Sequence, residues 1–335
     1  MNEKVRLAVV GCGGMGGEQI KSIGQVSQAE VAALVDIRPS AYQQKHKDLL
    51  NNDPSVRTYD SLDAMLKNPP AGLRGVVIVT PHNLHFEQSV KCLEHGYDVL
   101  VEKPMVTNSA HAHELKKTIE RTGRHFQIAF QSPFSQEFAY IRQQIQAGAL
   151  GELQTITAHS CQSWKKGSAG TWRQDPNQSG GGQMYDTGAH LFNSIAWLID
   201  RPVLEVFCIA DNKGAEVDIN AAMTIRWEGN VLGSVTISGN TPGWQEGIWI
   251  SGDKGRIATG IHGGRIEQWN EKGIVKYPQV TQAHYSPVGN FVDCLLGNAE
   301  PRCPVRYGIL HSWLMDALYA SAKEGKPVKL TPPPL

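Results

Sequence analysis

The sequence predicts an α/β protein: a doubly wound parallel sheet over residues 1–129, then a second α/β domain over 130–335 on a mostly antiparallel sheet. Three observations predict it. Short β-branched runs alternate with helical segments through the first third, as in parallel sheets whose crossovers are helices. A glycine-rich turn follows the first of those runs at once. Past about residue 130 strand-like segments dominate, several with alternating apolar and polar positions, as in an antiparallel sheet with one packed face.

The elements follow in order. Val5–Val10 reads as a strand and Gly14 to about Gln25 as a helix. Val31–Val35 is a strand, 40–50 a helix, 56–59 a brief strand and 60–66 a short helix. Then come strand 76–80, helix 84–95, strand 98–101, helix 109–122 and a closing strand at 126–129. A helix at about 135–147 opens the second domain. Strands are expected at 153–160, 203–209, 221–227, 231–238, 247–251, 256–259 and 265–268, interrupted by one helix at 184–199. Glycines from Gly243 to Gly264 punctuate hairpins, and helices at 288–296 and 306–323 close the chain.

The bulk numbers exclude several classes. At 335 residues, 41% hydrophobic and 19% charged, the chain can bury a sizeable core. Lys+Arg and Asp+Glu both number 32, so there is no basic excess of the kind a nucleic-acid binder shows. No apolar run approaches bilayer length, and the chain passes from Met1–Lys4 straight into the first strand without a secretory leader. Six scattered cysteines, with no C-x-x-C pair, read as reduced thiols of a cytoplasmic protein. His82/His85 and His111/His113 lack a cysteine or carboxylate at zinc spacing, so no metal is expected.

Gly11-Cys12-Gly13-Gly14-Met15-Gly16 satisfies G-x-G-x-x-G between a strand and a helix. That context gives a tight turn, close backbone approach to a pyrophosphate and helix N–H groups aimed at an anion. Asp36 lies 20 residues past Gly16, at the end of the second strand, where a carboxylate binds a ribose 2′-OH and repels a 2′-phosphate. With Ile37 and Arg38 it forms the expected ribose end. NAD is favoured over NADP, although Arg38 could accommodate a phosphate. Two later strand ends, Thr80-Pro81-His82-Asn83-Leu84-His85 and Glu102-Lys103-Pro104, fall where open α/β sheets bind ligands. A lysine at a buried strand end needs a partner or a task; the bland alternative is a snorkelling surface lysine. Further on, a flexible glycine run, Gly180-Gly181-Gly182, leads into a helix bearing Asp186 and His190. Their i,i+4 spacing puts them one turn apart on one face. A carboxylate that orients an imidazole is one way to build a general acid/base, and such pairs also occur as surface helix pairs.

These four motifs, in this order, resemble the Gfo/Idh/MocA oxidoreductases, and the resemblance covers essentially the whole chain. It implies a Rossmann domain followed by an α/β domain with a large, open, mostly antiparallel sheet. It also implies an active site between the two, and oligomer contacts through the sheet. By resemblance Lys103, Asp186 and His190 are catalytic. Thr80, Pro81, His82, His85 and Glu102 line the cofactor, Gln131 meets the nicotinamide end, and Trp172-Arg173 reach cofactor or substrate. The closing helices are expected to pack back on the N-terminal domain. One departure is Asn193, where the family often carries an aspartate.

The activity so implied is reversible oxidation of a secondary hydroxyl of a sugar, glycoside or cyclic polyol by NAD. His190, oriented by Asp186, takes the proton, and Lys103 stabilises the alkoxide. Trp164, Lys165, Trp172, Tyr185 and Tyr285 could line the substrate site together with Lys103 and Gln131, or could be packing. Two other readings stay open: an NAD-dependent glycosidase acting through transient oxidation, and a non-catalytic cofactor-binding sensor. A homodimer or homotetramer is expected, with no nucleic-acid or membrane partner.

Overall fold

The computed structural model describes residues 4–280 and 285–333. Among them, two compact units form: one from residues 4–106, 110–129 and 285–305, the other from 107–109, 130–280 and 306–333.

The first unit is built on a parallel sheet. Its strands are β1 (Val5–Val10), β2 (Ala29–Val35), β3 (Arg57–Tyr59), β4 (Leu73–Ile78), β5 (Asp98–Val101) and β6 (Phe126–Ile128), in the order β3-β2-β1-β4-β5-β6. Every pairing is parallel. The central strands are buried along most of their length, which is why they read as near-continuous apolar runs; Leu7, Val9, Leu34, Val77 and Leu100 lie in the core. Strand order reverses between β1 and β4, so their carboxyl ends open a crevice at the switch point. Of the two closing helices, Pro287–Leu295 joins this unit and Val305–Glu324 the other. Phe291 of the first closes over β4 at Gly75, where even a Cβ would sit 3.0 Å from its ring.

The second unit carries the larger sheet, with β7 (Leu153–Gln162), β8 (Val203–Asp211), β9 (Asn220–Trp227), β10 (Val231–Ser238), β11 (Trp244–Gly252), β12 (Gly255–Gly260), β13 (Gly263–Asn270), β14 (Val275–Lys276) and β15 (Val328–Lys329). Their order is β14-β13-β12-β11-β7-β10-β9-β8-β15. All neighbours are antiparallel except β7 and β10. Met223, Ile225, Val235, Ile237, Ile248 and Ile250 alternate onto one face. Helices Gln136–Gln146, Gly188–Ile199 and Val305–Glu324 pack there through Phe138, Leu191, Ile195, Leu314 and Leu318. Trp249 and Leu232 alternate to the other, exposed face.

Three expectations are corrected. The single helix at 184–199 is two, Gln183–Asp186 and Gly188–Ile199, with the ladder interrupted at Thr187; Thr187 is tied sideways to Gln162 of β7. Strand β11 begins at Trp244, three residues before the expected start. Edge strands β14 and β15 and the short helices Trp164–Gly167 and Pro176–Ser179 were not expected, because two to four residues carry no readable periodicity. All six cysteines are free thiols, and only Cys161 is not buried. Among the described residues no helix is long and apolar enough to cross a membrane.

Candidate active site

The first unit gathers its motifs on one edge. Gly11, Asp36, Thr80 and Glu102 each follow closely on the carboxyl end of β1, β2, β4 or β5. Gly11 has φ +98°, and a Cβ there would lie 2.6 Å from the Val79 carbonyl oxygen. At Gly16 a Cβ would lie 2.0 Å from the Gly11 oxygen. The turn therefore needs both glycines for its own shape. Gly13 and Gly14 differ, since a Cβ at either would meet nothing within 4 Å. Gly13 precedes helix Gly14–Gly24, whose first turn has no side-chain cap and no acidic residue. Open space beside uncapped helix N–H groups fits a pyrophosphate. Asp36 braces the same turn, accepting from the Cys12 N–H at 2.8 Å and the Arg38 N–H at 2.9 Å. Met15 and Ile37 are exposed apolar side chains at its rim. Burial pushes the Cys12 thiol up to about 12, so it is inert under the turn.

The lysine strand end is locked to this turn. Gln19, on the helix that the turn opens, donates to Glu102 at 2.6 Å. Glu102 also accepts from the Lys103 N–H at 3.2 Å. His85 is fully buried and joins two strand ends: Nδ1 lies 2.8 Å from the Pro104 carbonyl oxygen and Nε2 2.8 Å from that of Thr80. Burial lowers its imidazole below the ordinary range against the pull of both carbonyls. His82 is buried beside it, with ring centroids 5.8 Å apart. The Thr80 hydroxyl donates to Gln88 at 2.7 Å.

In the second unit the glycine run, expected to be flexible, is closely packed. Gly181 and Gly182 are buried. A Cβ at Gly182 would lie 1.9 Å from the Asp218 carbonyl oxygen, and one at Gly181 2.1 Å from the Tyr319 hydroxyl. Glycine is required there by close approach. Asp218 caps the helix start, accepting from the Gly182 and Met184 N–H groups at 2.8 Å each and from the Tyr319 hydroxyl at 2.5 Å. Burial and the Asp218 carboxylate hold that hydroxyl well above its ordinary range.

This cap positions Asp186. Its Oδ2 accepts from Trp164 Nε1 at 2.8 Å and from Arg173 Nε at 3.2 Å. Arg173 also lies 4.6 Å from the Trp172 ring centroid. One turn on, His190 meets Phe130 edge-on at 6.2 Å and the ring of His262 at 4.8 Å. Asn193 approaches Ser132 at 3.4 Å. Gln131 is exposed and leads into the short helix Ser132–Phe134.

Two of the expected lining residues already have partners within their own units. Tyr185 is 1% exposed and packs in the core against Tyr319 and His311, so its ring has no surface to offer a ligand. Tyr285 spends its hydroxyl on Asp293 and Asn290 and lies under Arg302 in the first unit. Asp218, Tyr319 and His262 were missed. Asp218 and Tyr319 lie far from the glycine run in sequence, and His262 reads as one of several residues among hairpin glycines.

The family model described as an oxidoreductase family with an NAD-binding Rossmann fold matches residues 5–130. Its companion, the GFO/IDH/MocA C-terminal domain, matches residues 138–258. The chain belongs to the GFO/IDH/MocA oxidoreductase family. Among curated members of that family, it is 32% identical to the rhizopine catabolism protein MocA of Rhizobium meliloti over 58% of this chain and 57% of that one. It is 31% identical to an inositol 2-dehydrogenase of an Arthrobacter species over 46% and 44%. The chain thus spans about half the length of the curated relatives it matches. The aldose-aldose oxidoreductase of Caulobacter crescentus, solved with glycerol, shares the fold at a TM-score of 0.87 and 20% identity, covering 98% of this chain and 100% of that one.

Proposed function

We propose that this protein is an NAD-dependent oxidoreductase that reversibly oxidises a secondary hydroxyl of a sugar, glycoside or cyclic polyol. The observation that carries the reading is the shared sheet edge of the glycine turn, Asp36, Glu102 and Lys103 in a chain of an oxidoreductase family. The substrate class rests on the inositol and aldose names of the relatives. Residues 1–129 would bind the dinucleotide, and 130–335 would bind substrate and associate with further copies through the exposed sheet face.

Gly11, Gly13, Gly14, Met15 and Gly16 would hold the pyrophosphate, and Asp36 with Ile37 and Arg38 the ribose. The buried Asp36 carboxylate disfavours a 2′-phosphate, which supports NAD over NADP as the cofactor. Thr80, Pro81, Glu102, Gln131, Trp172 and Arg173 would line the rest of the dinucleotide, while the buried His82 and His85 would support the strand ends from beneath, His85 through its ties to Thr80 and Pro104. When bound, it supplies the two-electron acceptor for the hydrogen leaving carbon. His190 takes the hydroxyl proton, Asp186 and Arg173 set the charge beside it, and Lys103 donates to the oxygen as negative charge develops there. Trp164 acts through Asp186, which it holds.

The deciding experiment mixes purified protein with NAD and a panel of sugars, glycosides and inositols and follows reduced nicotinamide. The expected result is formation with one class and none in Lys103→Ala. Turnover without net reduction would instead mean redox-assisted glycoside cleavage, and NAD binding without any turnover would mean a sensor. A second test separates fold from ligand at the glycine turn. Gly13→Ala is expected to leave Tm within about 2 °C and weaken NAD binding about tenfold, the equivalent of about 1.4 kcal/mol. Gly16→Ala is expected to cost about 1–3 kcal/mol of stability by overpacking. Calorimetric NAD titration and thermal melts of both variants check this.

A further inference from the structure

His190 has a second imidazole beside it, and that imidazole is fixed in place. His262 lies between β12 and β13, in a turn held from two sides. The Ser194 hydroxyl, one helical turn past His190 on the same helix, donates to the Ile261 carbonyl at 2.9 Å. From β11, Glu246 Oε1 accepts from the Ile261 N–H at 3.0 Å, while its Oε2 faces His262 Nδ1 at 3.3 Å. One carboxylate thus clamps both the turn and its ring. Glu246 belongs to the packed face of β11, in line with Ile248 and Ile250. A carboxylate on that face needs a polar task, because burying it without partners is costly.

The outcome is a pair of imidazoles with centroids 4.8 Å apart, tilted by 54°. With Nδ1 of the neutral ring donating to Glu246, Nε2 is an acceptor. The His262 side chain is held at Nδ1 by Glu246 and keeps 32% of its surface exposed, so the clamped ring remains reachable by a ligand. Trp244, 53% exposed, sits 6.1 Å from it and offers an aromatic face to C–H groups.

We propose that His262, held by Glu246, is a specificity-determining contact that binds a second oxygen of the substrate, on the carbon next to the one that reacts. Neighbouring hydroxyls of a sugar or cyclitol ring lie closer together than the two imidazole centroids, so one vicinal diol can reach both rings. His190 then takes the proton of one hydroxyl while His262 accepts a hydrogen bond from the other. The preferred substrate is therefore a vicinal diol rather than an isolated secondary alcohol. This rests on the dehydrogenase reading above.

The test compares wild type, His262→Ala and Glu246→Gln, all as the full-length chain saturated with NAD. Substrates are myo-inositol, D-glucose and D-xylose, each paired with its monodeoxy analogues. For the parent that turns over, wild type is expected to prefer it about 2- to 10-fold in kcat/KM over the analogue lacking the neighbouring hydroxyl, the range one neutral hydrogen bond supplies. His262→Ala is expected to erase that preference through KM for the parent alone, and Glu246→Gln to reduce it. Equal losses on parent and analogue, or no change on either, would overturn the proposal, since a merely structural ring cannot tell the two apart. If wild type turns over no parent, the dehydrogenase reading falls by itself. Calorimetric titration with the same polyols then judges the contact: weaker binding in His262→Ala upholds it, and unchanged or absent binding overturns it.

Discussion

Replacing His190 by asparagine is expected to lower turnover about 100- to 10,000-fold, the range that a positioned general base contributes. KM is expected to stay within a few-fold of wild type. Asparagine keeps a polar group of similar reach but takes no proton, so the loss falls on the transition state rather than on ground-state binding. Asp186→Asn keeps the shape and removes the charge. It is expected to lose less, because Arg173 and Trp164 already share that carboxylate. Removing it also leaves the Arg173 cation short of a partner, so KM is expected to move together with kcat in that variant. Initial rates of nicotinamide reduction across substrate concentration separate the two patterns. A His190→Asn enzyme with wild-type kcat would remove the imidazole from the chemistry and leave Lys103 as the group to explain.

Much of this was legible in the sequence, for physical reasons. A parallel sheet covered on both faces needs apolar strands, and a glycine turn between strand and helix has few other uses. The first unit could therefore be read nearly element by element. Within the turn, however, the sequence does not distinguish Gly11 and Gly16, which shape it, from Gly13 and Gly14, which leave space beside it. The second unit was harder. Its sheet alternates visibly in β9 and β10, but residues that reach a site across the sheet carry no local signal. Glu246 alternates with Ile248 and Ile250 only when β11 is taken back to Trp244, and His262 gains meaning only when Ser194 and Glu246 are seen gripping its turn. The glycine run was read as flexible because glycine permits flexibility; in place it is compact, filled by groups more than 30 residues away in sequence.

That compactness leads to the second large effect. Asp218→Ala is expected to destabilise the second unit by about 3–5 kcal/mol, as for the removal of one partner from a buried charged network. The substitution strips an acceptor from two buried backbone N–H groups and from the Tyr319 hydroxyl at once. Those N–H groups begin the helix that carries Asp186, where the macrodipole adds to the preference for a carboxylate. Against a typical stability of about 5–15 kcal/mol, a loss of that size is a large fraction of the whole. Two milder variants divide the effect. Tyr319→Phe removes one hydroxyl while both N–H groups stay satisfied, and is expected to cost about 1 kcal/mol with little change in kcat. Asp218→Asn keeps one acceptor oxygen but turns an amide N–H₂ toward a donor, so stability is expected to fall between the two, with kcat reduced because the first turn of the helix shifts Asp186. Urea unfolding and kcat measured on the same three proteins decide the matter. If Asp218→Asn loses stability but no turnover, the cap supports the fold alone and Asp186 takes its position from Trp164 and Arg173 instead.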